Sequence, residues 1–313
     1  MFERRWRRTD VFMGRGALAM SKVELIELLV GGLAIGCIYS LIALGFTIII
    51  RATGVLNFAQ GEVVMLGAMF GLTAYRIVPL PFAALFICGA LFAGIMAVVI
   101  ELGVYRTLRV RRIPLVNIVI STIAMSILLQ NGAHLLWGSE PMAYPKLFTS
   151  DFYFLGPVKL APQLIWIVVL AIGMMLALQL FLRFTRAGLA MQAVAQDAEA
   201  AQLMGINLTR ATAATYGIAG LLGGAAGVLL GSMFYASFNM GFLPGIKAFV
   251  AATLGGLGSI GGAMLGGVVF GLIETVTATS ITSAYKDAVG MVLLILILLV
   301  LPQGFAGAFR RGR

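Results

Sequence analysis

Charge is scarce in this chain of 313 residues. Asp, Glu, Lys and Arg supply 11% of it, against about one quarter in a soluble domain, and the mean hydropathy is +1.03. A water-soluble globular protein is therefore excluded, and an integral membrane protein is indicated. Cysteine is nearly missing: Cys37 and Cys88 lie in apolar runs without metal-ligand spacing, so neither a disulfide framework nor a zinc site is expected. Both read as small buried hydrophobes. The single histidine, His134, stands three residues before Trp137 and reads as an interfacial side chain rather than a ligand. Nine prolines against 39 glycines argue for helices that pack closely through small residues and break at glycine. The alternation of a β-barrel is missing. So are the catalytic sets: there is no Ser/His/Asp or HExxH arrangement that would make a membrane hydrolase. There is no G-x-x-x-x-G-K-[ST] phosphate loop either, since the nearest stretch, GGLGSIGGAMLGG, has no lysine to reach a phosphate. The chain is expected to be no enzyme and to hold no cofactor or metal of its own.

The charge that is present has a pattern. The formal net charge is +10, but the cations cluster at the two ends and in short breaks between apolar runs, which is positive-inside topology rather than a nucleic-acid surface. About 20 apolar residues cross a hydrocarbon core. Six runs qualify: Val23 to Ile50, Pro81 to Val104, Ile113 to Trp137, Leu164 to Phe184, Ala211 to Phe234 and Ala288 to Leu301, the last being the shortest. Arg106, Arg109, Arg111 and Arg112 mark one loop as cytoplasmic, Arg183, Arg186 and Arg210 another, and Arg310, Arg311 and Arg313 the C-terminal tail. The charge-balanced stretch from Ser139 to Gln163 is expected outside. Residues 1–22 form a basic extension without the apolar core of a secretory signal, with Met13 and Met20 as alternative starts. Its arginines favour a cytoplasmic N-terminus, residues 23–302 form the membrane domain, and residues 303–313 form a basic cytoplasmic tail.

Two further segments, Gly54 to Tyr75 and Pro244 to Ala278, are apolar but interrupted by glycine and polar residues. With both termini inside, neither can be a single crossing. They read as re-entrant or discontinuous helices, each following a long span in its own half of the chain, which suggests an internal repeat. The alternative for the first is an ordinary span preceded by a frayed end, with the N-terminus outside. The expected fold is thus all-α and polytopic, with about eight transmembrane or partly re-entrant segments. Broken backbone at membrane depth survives only inside protein or beside water, and a matched pair of such segments points to a translocation path.

The first segment carries GVLNFAQGEVVML, residues 54–66. A charge facing lipid at mid-membrane costs about 2.5 to 3.5 kcal/mol, so Glu62 should face protein or water. Asn57, Gln60 and Glu62 are read either as a polar element of the path or gate, or as a clasp that bonds broken backbone. Glu274 is a second candidate path carboxylate. Lys247, Glu274, Tyr285, Lys286 and Asp287 read as interfacial anchors whose stems snorkel. In the glycine-rich stretch, Gly255, Gly256, Gly258, Gly261 and Gly262 are expected to pack helices. Between two spans lies RAGLAMQAVAQDAEAAQLMGINLTR, residues 186–210, too polar to cross. Its alanines favour a short amphipathic helix, and Gly205 should end it in the left-handed conformation. Such a helix suits docking into a partner's groove better than lying on lipid, for which it carries few cations.

Within that loop, EAAQLMG at residues 199–205 fits the E-A-A-x-x-x-G pattern of bacterial ABC-importer permeases. From about Ile26 to Pro302 the chain resembles the branched-chain amino acid permease family. The matching stretches are GCIYSLIALGFTIIIRATGVLNFAQGEVVMLGA, SILLQN, RAGLAMQAVAQDAEAAQLMGIN, GIKAFVAATLGGLGSIGGAMLGGVVFGLIE and YKDAVGMVLLILILLVLPQG. The I-x-L-P ending that follows the motif in many importer permeases is absent. The resemblance implies a transport subunit of the bacterial inner membrane that pairs with a second related permease, two cytoplasmic ATPases that bind the ATP, and an extracytoplasmic solute-binding protein. Glu199, Ala200, Ala201 and Gly205 would then contact an ATPase. A permease for urea or short-chain amides is the near alternative, and an autonomous transporter or channel using Glu62 or Glu274 the distant one.

Overall fold

The computed structural model describes residues 22–79, 81–144, 153–155, 158–280, 286–300 and 304–305. Residues 1–21, Tyr285 and 306–313 lie outside the described residues. The described chain is built of helices: α1 (Lys22–Thr53), α2 (Gln60–Ile77), α3 (Phe82–Ile100), α4 (Arg106–Val110), α5 (Leu115–Trp137), α6 (Pro162–Phe184), α7 (Arg186–Gln196), α8 (Ala198–Leu203), α9 (Leu208–Met233), α10 (Phe242–Gly255), α11 (Ile260–Ser280) and α12 (Lys286–Val300). A π-helical turn, Glu101–Tyr105, joins α3 to α4. Short strands β1 (Met142–Ala143) and β4 (Tyr235–Ala236) pair with each other, as do β2 (Tyr153–Leu155) and β3 (Val158–Leu160). Among the described residues, six stretches are long and apolar enough to cross a membrane: Val23–Thr53, Phe82–Val110, Leu115–Trp137, Pro162–Phe184, Leu208–Met233 and Ile260–Thr279.

Glycine sets which helices meet. Lipid is as apolar as leucine, so helix association in a membrane relies on close backbone approach. The most extensive pairings are α1 with α11 and α3 with α9. Both are antiparallel: Gly36 lies on Val268 and Gly32 on Thr275, while Gly220 lies on Ala93 and Gly94 and Gly224 on Ala90. A Cβ at Gly36 would stand 2.8 Å from Val268 Cα, so any larger residue would prise the pair apart. α2 packs on α3 and α9, and α10 packs on α11 and α1. Exchanging α1, α2 and α3 for α9, α10 and α11 leaves this set of neighbours unchanged, which is the internal repeat that the two broken segments suggest. α1, α2 and α9 form the buried centre, and α5 and α6 are peripheral and largely exposed.

The two ends of the bundle are distinct. At one, Glu27 near the start of α1 accepts from the Lys159 backbone N–H, Trp137 Nε1 donates to Thr73 near the end of α2, and β1 pairs with β4. At the other, α1 ends with Arg51 against Gly258 and Gly304 lies on Gly256. There Ala52 and Thr53 share a cavity with Arg106, Arg109 and residues of α7, α8 and the start of α9. The 32 residues of α1 separate the two ends by about 48 Å.

Two expectations change. The described chain begins α1 at the first end and reaches Gly304 at the second, so these two points lie on opposite faces rather than on one. Residues 54–59 turn the chain back, and α2 is then a continuous helix of 18 residues returning to the first end. This matches the alternative reading of residues 54–75 as an ordinary span preceded by a non-helical end. With α2 returning to the end at which α1 starts, the described chain does not have its two ends on one face, and residues 54–75 need not re-enter. Pro244 to Ala278, by contrast, goes in and comes back as expected: α10 and α11 are antiparallel, with Gly256 (φ 99°) and Gly258 (φ 88°) in the turn.

Candidate functional site

The site begins where α1 stops. Gly54 has φ 67°, a left-handed conformation that glycine adopts without cost, and its N–H donates to Ile50 O at 2.8 Å. The backbone that follows finds partners close by. Val55 N donates to Thr53 Oγ1 at 3.3 Å, Phe58 N to Thr122 Oγ1 of α5 at 3.2 Å, and Ala59 N to Asn57 Oδ1 at 3.2 Å. Asn57 Oδ1 also accepts from the Tyr105 hydroxyl at 3.2 Å. Gln60, the first residue of α2, donates from Nε2 to Ala219 O of α9 at 2.9 Å, midway along that helix. Gly45 and Gly223 make room for this amide, and a Cβ at Gly45 would stand 2.5 Å from Gln60 Nε2.

Glu62 follows, buried in the first turn of α2. The positive end of the helix dipole favours a carboxylate there. Its Oε1 accepts from Ser126 Oγ of α5 at 3.3 Å, and Oε2 has no hydrogen-bond partner among the described residues. The second broken helix arrives at the same place. A Cβ on Gly61 would stand 2.6 Å from Gly241 O, and one on Gly241 would stand 2.9 Å from Glu62 Oε2, so the N-terminal ends of α2 and α10 cross at glycines beside the carboxylate. A cavity of about 450 Å³ opens next to the crossing, lined by Phe46, Phe58, Ser126, Gln130, Phe249 and Gly245 among others. Its volume lies in the range of small-molecule sites, which are mostly apolar with a few polar groups.

The polar loop of residues 186–207 folds as two helices, not one. Thr185 caps α7, accepting from Gly188 N at 3.0 Å. Asp197 breaks the run and caps α8 by accepting from Glu199 N at 2.9 Å and Ala200 N at 3.0 Å. Its short acceptor side chain competes for backbone donors better than the flanking alanines favour continuation. Gly205 ends α8 with φ 85°. Glu199 and Ala200 are exposed, Ala201 is buried, and Leu203 and Met204 stand 88% and 83% exposed at the tip.

Comparison with known proteins gives this architecture a family. The model of the branched-chain amino acid transport system permease component matches residues 28–301. The chain belongs to that family. It is 39% identical over 302 residues to the high-affinity branched-chain amino acid transport system permease protein LivH of Escherichia coli K12, covering 90% of this chain and 95% of that one. It is 40% identical over 298 residues to BraD of Pseudomonas aeruginosa, with the same coverage. An archaeal relative, the probable LivH of Methanocaldococcus jannaschii, is 28% identical over 289 residues, covering 85% of this chain and 88% of that one. No solved structure matches.

In this permease the expected site residues do not all meet. Glu274 lies on the other side of α10 from Glu62: Phe242, Gly245, Ile246 and Phe249 face the cavity, while Lys247 turns away and its ammonium lies 2.6 Å from both Glu274 Oε1 and Asp287 Oδ1. Lys247 and Glu274 are buried, so they are partners in an ionic cluster joining α10, α11 and α12, not interfacial anchors. A lone charge at that depth would be too costly to keep, and each supplies the other's counter-charge. Gly255 and Gly262 press α10 and α11 together, Gly256 and Gly258 form the turn, and a side chain at Gly261 would meet open space. His134 is exposed beside Phe238, ring centroids 4.7 Å apart. Cys37 and Cys88 are free, Cys37 buried and Cys88 half-buried. Sequence reasoning missed Glu101, fully buried and paired with Arg109, although a carboxylate inside the apolar run Pro81 to Val104 was a visible signal.

Proposed function

We propose that this permease is the membrane-spanning subunit of an ATP-binding-cassette importer that moves branched-chain amino acids across the bacterial cytoplasmic membrane. A second related permease, two cytoplasmic ATPases and an extracytoplasmic binding protein complete the assembly. The observation that carries the reading is the meeting of the N-terminal ends of α2 and α10 at a cavity beside Glu62, whose Oε2 has no partner among the described residues. Helix N-termini favour anions, and the free oxygen of Glu62 favours a cation. Phe46, Phe58, Ile123 and Phe249 offer apolar walls. A zwitterion with an aliphatic side chain satisfies all three.

Orientation follows from charge. Arg51, Arg106, Arg109, Arg111, Arg112, Arg183, Arg186 and Arg210 gather at the end that carries α7 and α8, which makes that face cytoplasmic and puts the start of α1 outside. The exposed apolar tip at Leu203 and Met204, with Glu199, Ala200, Ala201 and Gly205 behind it, is the surface offered to an ATPase. ATP binding there would shift α7 and α8, and the path past Asn57, Gln60 and Glu62 would open to alternate faces. The test is uptake of labelled leucine into proteoliposomes, with and without the two ATPases. ATP-dependent uptake only in their presence is expected; uptake by the chain alone would overturn the reading.

A further inference from the structure

The wide turn at the cytoplasmic end of α3 places two buried polar groups, Glu101 and Tyr105, and the half-buried Arg109, none of which lines the transport cavity. In a regular helix, residues eight apart diverge by about 80°. The π-helical turn Glu101–Tyr105 takes up that difference and brings the Arg109 guanidinium onto Glu101, to which both of its terminal nitrogens donate. Glu101 is fully buried. Taking the Glu101 carboxylate out of water offsets much of its attraction to the half-buried guanidinium, so the pair is better explained by fixing register than by adding stability. Single π-turns within helices recur at functional sites for the same reason.

This turn faces two ways. Towards the cytoplasm, Arg109 Nη2 lies 3.5 Å from Thr212 Oγ1 in the second turn of α9. Arg109 also borders a cavity of about 590 Å³ whose other walls include Val194 of α7, Ala198 and Gln202 of α8, and Ile206. That space lets α7 and α8 move against Arg109. Towards the membrane centre, Tyr105 packs on Tyr216, ring centroids 5.6 Å apart, and its hydroxyl donates to Asn57 Oδ1 at 3.2 Å. Asn57 in turn accepts from Ala59 N through its side chain and from Gln60 N, at 3.1 Å, through its carbonyl. It thereby fixes where α2 starts and where Glu62 stands.

We propose that Tyr105 and the Glu101–Arg109 pair are positioning residues that transmit displacement of α7 and α8 to the break at Asn57, setting the position of Glu62 at the transport cavity. The proposal rests on the importer reading above. Its test uses the complete reconstituted importer and the variant Tyr105→Phe, which keeps the ring and removes only the hydroxyl, together with Arg109→Lys, which keeps the charge and loses the fork. Leucine taken up per ATP hydrolysed is expected to fall roughly three- to tenfold in Tyr105→Phe, the factor that one buried hydrogen bond represents, while subunit assembly and ATP hydrolysis stay near wild type. Arg109→Lys should show the same uncoupling. An unchanged ratio in both variants overturns the linkage, as does a parallel fall of uptake and hydrolysis in assembled complexes. If the wild-type chain moves leucine without ATPases, the importer reading fails and the linkage with it. Loss of coupling in the variants alone cannot arise that way.

Discussion

Three carboxylates are buried among the described residues of this permease, and they meet different surroundings. Glu101 holds Arg109, Glu274 holds Lys247, and Glu62 has only the Ser126 hydroxyl. The first two are neutralised in place, whereas Glu62 keeps an oxygen for something else. Glu62→Gln preserves shape and the Ser126 contact but removes the charge. Since a hydrogen bond to a charged group contributes about 1.5 to 3 kcal/mol, leucine uptake by the complete importer should fall at least about tenfold, with the protein normally inserted. Wild-type uptake would remove Glu62 from the path. Lys247→Met should act on stability, because it strands Glu274 and Asp287 without their cation. Loss of one partner of a buried pair costs about 3 to 5 kcal/mol, so the detergent-solubilised protein should melt well below wild type, and Glu274→Leu in the same chain should recover much of the loss. The polar residues themselves were legible, because any charge in an apolar run stands out. Their partners were not: Gln60 bonds a carbonyl 159 residues away, and which residues meet at that separation depends on where helices cross.

At the scale of the helix, glycines divide into those that allow a crossing and those that do not touch a neighbour. A Cβ at Gly224 would fall 2.9 Å from Gly89 O and one at Gly227 would fall on Val64 O, whereas one at Gly173 of α6 would meet nothing within 4 Å. Gly227→Ala should therefore lower the yield of folded protein and its melting temperature in detergent, and Gly173→Ala should leave both unchanged or gain up to about 1 kcal/mol from better helix propensity. Equal effects of the two would contradict the packing described. Breaks at residues 54–59 and 256–259 could be read from glycine and polar residues interrupting apolar runs. The split of the polar segment after α6 into α7 and α8 could not, because AVAQDAEAAQ is rich in helix formers and only the capping geometry of Asp197 shows that its side chain ends one helix and starts the next.

For the whole molecule, the described chain enters α1 at one end of the bundle and reaches Gly304 at the other, so it starts and ends on opposite faces. Single cysteines at Glu24, Glu140 and Met204, in a chain with Cys37 and Cys88 replaced, make this measurable. A membrane-impermeant thiol reagent applied to the outside of spheroplasts should label positions 24 and 140 and leave 204 unmodified until the membrane is opened. Labelling of 24 and 204 from the same side would refute the arrangement. Charge counting puts the loops at Arg106–Arg112 and residues 186–210 on one face, and the structure brings them to one end. It set the start of α1 on that same face, whereas α1 begins at the opposite end, because residues 54–59 reverse the chain into α2.

The exchange symmetry between the α1–α3 and α9–α11 units carries a cost for sequence likeness. Each unit crosses the membrane an odd number of times, so the copies are inverted, and the rule that keeps cations on one face acts on them in opposite senses. The first unit is dressed with arginine where the second must be bare: Arg51 stands at the end of α1, while FYASFNMG, which follows α9 in the corresponding place, has no charged residue. That pressure towards divergence acts where α1 and α9 end and is absent from the buried crossings. Common ancestry of the halves should persist in the spacing of glycines long after it has been erased from the loops.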